Sequence, residues 1–108
     1  MGLVGKKCVP CEGGVPPLTP DEIERLKKEI SPEWKVIDNH HLRREFSFKN
    51  FKEVMGFVNM VAAIAEMEGH HPDMTVHYSR VEIEIFTHAI NGLSENDFIL
   101  AAKIDQLL

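Results

Sequence analysis

Two hydrophobic rhythms alternate along the chain. Ile23, Leu26 and Ile30 recur at helical spacing. Before them Thr19 offers an N-cap, Pro20 suits the first helical position, and Glu22 stands where a capping box needs it. The pattern predicts a helix from about Thr19 to Ile30, ended by Ser31-Pro32. Trp34 to Ile37 then reads as a short strand and Asp38-Asn39-His40 as a turn. Leu42 to Lys49 follows with a period of two: Leu42, Arg44, Phe46 and Phe48 share one face, and Arg43, Glu45 and Ser47 the other. The adjacent His40 and His41 are expected in the turn, facing solvent.

Asn50 caps a long helix from Phe51 to about Glu68. Its apolar stripe is Phe51, Val54, Met55, Val58, Val61, Ala62 and Ala65, widened by Phe57, Met60, Ile64 and Met67. So broad a stripe needs cover on two sides, from the sheet and either another helix or a second subunit. Gly69 is suited to end this helix. A second hairpin is read from Met74 to Tyr78 and Arg80 to Thr87, where Val81, Ile83 and Ile85 alternate with Glu82 and Glu84. After an Asn91-Gly92 turn, Ser94 caps a last helix reaching Leu108, with Asp97 at the capping-box position and Phe98, Ala101, Ala102 and Leu108 as its inner face. The order is α-β-β-α-β-β-α. Two hairpins joined into one four-stranded antiparallel sheet, with three helices packed on one face, give an α+β fold.

A chain of 108 residues, 44% apolar and 27% charged, suits one domain with a single core. Its net charge of −5 argues against direct nucleic-acid binding. No apolar run approaches a membrane span and the start carries no secretory pattern, so the expected location is cytoplasmic. The cysteines, Cys8 and Cys11, form Cys-Val-Pro-Cys before Glu12-Gly13-Gly14-Val15-Pro16-Pro17. No second pair completes a four-thiolate zinc site and no strand precedes them. Residues 1–17 are expected to be a flexible arm, with the folded domain at 18–108.

The chemistry concentrates between Glu66 and Asp97. Glu66 precedes His70 by four residues, His71 and Pro72 follow at once, and His88 stands farther on. Histidine titrates nearest neutrality, so such a cluster suits proton transfer. Glu66 and His70 can meet across a helix end. Pro72 holds His71 extended, so the two rings diverge. Asp97, in the first turn of the last helix, can fix another imidazole. A metal would need three or four converging ligands, but the His-x-x-x-His spacing of zinc enzymes is absent. Histidines that merely cap and hydrogen-bond elements are the plainer alternative.

Glu66, His70, His71, Pro72, Tyr78, His88 and Asp97, at these spacings, resemble the signature of the pterin-4a-carbinolamine dehydratases. The likeness extends through Trp34, Phe46-Ser47-Phe48-Lys49-Asn50-Phe51, Gly56-Phe57 and Gly92-Leu93-Ser94-Glu95. It implies a four-stranded antiparallel sheet with helices on one face. It implies dehydration of 4a-hydroxytetrahydropterins to quinonoid dihydropterin and water, in tetrahydrobiopterin recycling beside an aromatic amino acid hydroxylase. Neither metal nor other cofactor is implied, and dimers or tetramers are. On this reading His70 and His88 are the acid/base pair, His71 binds the pterin and steadies its hydroxyl, and Glu66 orients His70. Gly69, Pro72, Thr87 and Asp97 complete the pocket. Gly69, Met74 and Asn96 depart from residues common in the family, an acidic residue, a Trp and an Arg respectively. The resemblance also admits a non-catalytic role, since relatives serve as a transcription-factor dimerisation cofactor or resemble RuBisCO assembly factors.

Overall fold

The computed structural model describes residues 2–10 and 15–108. The capping signals at Thr19 are used as expected. The Glu22 N–H donates to Thr19 Oγ1, and the Thr19 N–H to Glu22 Oε1 at 2.8 Å. They open helix α1, Pro20–Lys27. Strands β1 (Lys35–Ile37) and β2 (His41–Ser47) pair antiparallel. Between them Asp38, Asn39 and His40 make the turn, with Asp38 and Asn39 both at positive φ, 52° and 53°. His40 closes that turn, its N–H on Ile37 O at 2.8 Å.

Helix α2 runs Phe51–Glu68 between an Asn50 cap, which accepts from the Glu53 N–H, and Gly69 at φ 66°. Strands β3 (Asp73–Val76) and β4 (Arg80–Ile85) form the second hairpin. The two hairpins join through β2 and β4, giving the order β1-β2-β4-β3, antiparallel throughout. The α+β arrangement of three helices and a four-stranded antiparallel sheet is therefore as expected.

One sheet face carries Leu42, Phe46, Val81, Ile83 and Ile85, all buried. The opposite face is polar: Arg43 bonds Glu82 and Arg80 lies near Glu45. Helix α3, Glu95–Asp105, is the innermost helix, with every side chain from Asn96 to Ala102 buried, and Ile104 also. It contacts α2, α1 and a 3₁₀ turn at Leu3–Gly5. Phe98, Ala101 and Ala102 are inside as expected. Leu108 is not, because the helix stops at Asp105 and leaves it exposed.

Arg44 is a polar insertion on the inner sheet face. Its guanidinium stacks over Phe46 at 4.3 Å and donates to Asp105 at 2.7 Å. Asp105 also accepts from the Trp34 indole and the Ser31 N–H, each at 2.8 Å. The end of α3 is thereby tied to the sheet and to the α1–β1 connection.

Within the N-terminal segment, residues 3–8 touch the rest of the fold. Leu3 is buried in the core cluster, and Lys6 pairs with Glu95 at 2.8 Å. The Cys8 N–H donates to Glu68 Oε1 at 2.9 Å. Gly and Pro punctuation gave no sign of this, because the contacts are single apolar and polar residues with no periodicity. Cys11 lies outside the described residues, so the Cys-Val-Pro-Cys pair is seen only at its Cys8 end.

Candidate active site

The end of α2 supplies the first part of the site. Gly69 takes the left-handed conformation that ends the helix, and the chain turns out through His70-His71-Pro72 into β3. Across from it, β4 runs into Thr87, followed by a 3₁₀ turn at His88–Ile90. Thr87 is fixed by its backbone: its N–H donates to Gly92 O at 2.8 Å, closing the loop between β4 and α3. The approach is close enough that a Cβ on Gly92 would come within 2.8 Å of the Pro17 ring.

Asp97, in the first turn of α3, joins these parts. It is fully buried, and each oxygen is engaged. Oδ2 accepts from the Ser94 N–H at 2.8 Å and from the Thr87 hydroxyl at 2.9 Å. Oδ1 lies 2.5 Å from His70 Nε2. A carboxylate can only accept, so it sets the His70 tautomer: Nε2 carries the hydrogen. His70 is itself largely enclosed, its side chain 12% exposed.

Glu66 is found elsewhere than expected. It does not orient His70; its Oε2 lies 2.5 Å from His71 Nε2. The reason is Gly69, whose left-handed turn carries His70 off the helical path and swings the His71 ring toward the last turn of α2. The Glu66–His71 pair is exposed on both sides, so it contributes little to stability, and its effect is on where the ring points.

His88 is 65% exposed, its Nε2 3.9 Å from Asp73 Oδ2, too far for a hydrogen bond. Its ring packs on Phe86 with centroids 4.1 Å apart. Phe86 in turn meets His40, which bonds the Asn91 side chain through Nε2 and His41 through Nδ1. The His40–His41 pair is therefore a bridge between the β1–β2 turn and the His88 loop, and His41 belongs to β2. Sequence reading placed both in a solvated turn because alternation alone does not reveal which loop lies beside another.

His70, His71 and His88 line one cleft of about 290 Å³, with Gly69, Pro72 and Thr87 among its other walls. Asp73, Ala89, Asn96, Val9 and Pro10 also line it. Asn96 had been noted only as a departure, and the other four carried no signal in the sequence. Asp97 supports the cleft from beneath. Glu66 and the exposed Tyr78, which sits in the β3–β4 turn, are not among the lining residues. Among the described residues, no three His, Cys, Asp or Glu side chains are grouped to hold a metal ion, and no helix is long and apolar enough to cross a membrane.

The family model for pterin 4 alpha carbinolamine dehydratase matches residues 16–107. A protein of Alkaliphilus metalliredigens named as a candidate pterin-4-alpha-carbinolamine dehydratase is 55% identical over 96% of this chain and 94% of its own length. A Rubrobacter xylanophilus protein named the same way is 54% identical over 97% of each chain. Among solved structures, the transcriptional coactivator/pterin dehydratase from Brucella melitensis aligns with a TM-score of 0.78 at 32% identity, over 84% of this chain and 97% of that one. A pterin dehydratase-like RuBisCO assembly factor of the alpha-carboxysome shares the fold, with a TM-score of 0.60 at 23% identity over 69% of this chain and 88% of its own. On the match across nearly its whole length, this chain belongs to the pterin 4 alpha carbinolamine dehydratase family.

Proposed function

We propose that the cleft binds a 4a-hydroxytetrahydropterin, of the tetrahydrobiopterin type, and removes its hydroxyl as water by histidine acid/base catalysis. The observation that carries this reading is the convergence of three imidazoles on one cleft, one of them held by a fully buried carboxylate. In the reaction the C4a–O bond breaks while a proton is delivered to the departing hydroxyl. The N5–H proton is removed as the N5–C4a double bond forms. Both transfers suit imidazole at neutral pH, each contributing roughly 10²–10⁴-fold.

His70 and His88 are the acid/base pair, arriving from separate elements on either side of the sheet–helix junction. His70 exchanges its proton at Nδ1, since Nε2 is committed to Asp97. His71 binds the pterin and steadies the hydroxyl, aimed by Glu66. Gly69, Pro72 and Thr87 shape the pocket, and Asp97 positions both Thr87 and His70. No metal or organic cofactor takes part in this scheme.

The same reading places the enzyme in the cytoplasm, downstream of an aromatic amino acid hydroxylase that supplies its substrate. Phe51, Met60 and Met67 leave α2 with exposed apolar side chains, which supports a homodimer or homotetramer. A non-catalytic assembly or regulatory role is the weaker reading, since the RuBisCO assembly factor shares the fold at low identity while this cleft keeps all three histidines. Stopped-flow decay of 4a-hydroxytetrahydrobiopterin, with and without protein and in excess EDTA, tests the proposal. Acceleration unaffected by EDTA is expected. No acceleration overturns the enzyme reading, and loss under EDTA restored by zinc overturns the metal-free one.

A further inference from the structure

Residues 8–10 reach the cleft from a part of the chain that the family signature does not include. Val9 and Pro10 line it beside His70, His71 and His88. Asn96 grips Val9 twice: its Nδ2 donates to Val9 O at 2.6 Å, and its Oδ1 accepts from the Val9 N–H at 3.0 Å. One residue earlier, the Cys8 N–H is held by Glu68, whose other oxygen takes Lys103 at 2.9 Å. Leu3, buried in the core, anchors the segment farther back.

The backbone of Val9 is thus pinned while the residue as a whole is left 65% exposed. An ordered, uncovered apolar side chain in a cleft that also holds three imidazoles and a carboxylate provides what a flat heterocycle needs on its non-reacting side. We propose that Val9 and Pro10 form an apolar substrate-binding wall of the cleft, and that Asn96 is the positioning residue that holds this wall in place. The proposal rests on the pterin reading for the identity of the ligand.

Contacts of this kind act alike on substrate and transition state, so their loss raises KM and leaves kcat nearly unchanged. Val9→Ser removes the apolar contact from an exposed position without disturbing the core. It is expected to raise KM for 4a-hydroxytetrahydrobiopterin about 3- to 10-fold, with kcat within about 2-fold. Asn96→Ala is expected to do the same through the backbone of Val9. The double variant should then cost no more than the larger single one, because the wall is already lost.

Calorimetric binding of 7,8-dihydrobiopterin to the wild type and both variants separates this wall from the catalytic reading. If the wild type fails to turn over the hydroxypterin, yet binds dihydrobiopterin more tightly than both variants do, the catalytic reading fails and the wall stands. If the wild type turns over and Val9→Ser leaves KM and Kd unchanged, the wall is overturned and the catalytic reading stands. Additive effects of the two substitutions, or no dihydrobiopterin binding by the wild type, also overturn it.

Discussion

Asp97 Oδ1 stands 2.5 Å from His70 Nε2, and this contact joins the first turn of α3 to the end of α2. The carboxylate's other oxygen is occupied by Thr87, just beyond β4, and by the Ser94 N–H. One buried side chain thus caps a helix, ties down a strand end and fixes the tautomer of an imidazole.

Asp97→Asn tests that arrangement. An amide can accept at only one atom and presents hydrogens at the other, so one of the three donors loses its acceptor. A stability loss of about 1–3 kcal/mol is expected. With the His70 tautomer no longer set, kcat should fall by roughly 10- to 10³-fold while the chain remains folded. Denaturant unfolding and turnover on the same sample check both. A wild-type kcat would mean that the contact does not prepare His70.

Gly92→Ala tests the support behind Thr87. The added Cβ would press on Pro17 at 2.8–2.9 Å in a loop whose backbone bonds hold Thr87. Overpacking of this kind costs roughly 1–3 kcal/mol. Thermal unfolding should show the loss, and Gly56→Ala, with nothing within 4 Å of its Cβ, should not.

The Cys8 thiol gives a prediction in alkali. Burial, followed by the charge of Glu68, pushes its pKa up to about 12 from 9.0. The fold therefore favours the neutral thiol. The stability that this contributes is complete below about pH 9 and is lost as pH rises from there toward 12. In a Cys11→Ser background at pH 8, Cys8 has about 10³-fold less thiolate than an unshifted thiol. Its greater intrinsic nucleophilicity returns part of that, so alkylation should be roughly 30-fold slower or more in the folded chain than in urea. Equal rates would contradict the burial of this thiol against Asn96 and Glu68.

Much of this organisation could be read from periodicity. The span of α2, the Thr19 capping box and both hairpins follow from local residue chemistry, and the structure has them within a few residues. What local patterns omit is the path between elements. The Glu66–His70 pairing was inferred from helical spacing, but Gly69 leaves the helix before His70, so the carboxylate meets His71 instead. Asp97 was expected near an imidazole, and only the folded chain says that the imidazole is His70.

The same limit explains the N-terminal segment and the His40–His41 pair. Val9, Pro10 and Phe86 acquire meaning only through residues far away in sequence, Asn96 and His40 among them. A short segment without periodicity gives no sign of where it docks.

The most direct measurement is single-turnover dehydration of 4a-hydroxytetrahydrobiopterin by the wild type, His70→Ala, His88→Ala and the double variant, each first checked for folding and oligomeric state. His70 and His88 come from different elements, so each single variant should keep its partner's contribution. Each is expected to lose roughly 10- to 10³-fold in kcat, and the double variant more than either. A correctly folded double variant turning over at the wild-type rate would contradict the catalytic role of the cleft and leave its histidines as structural groups.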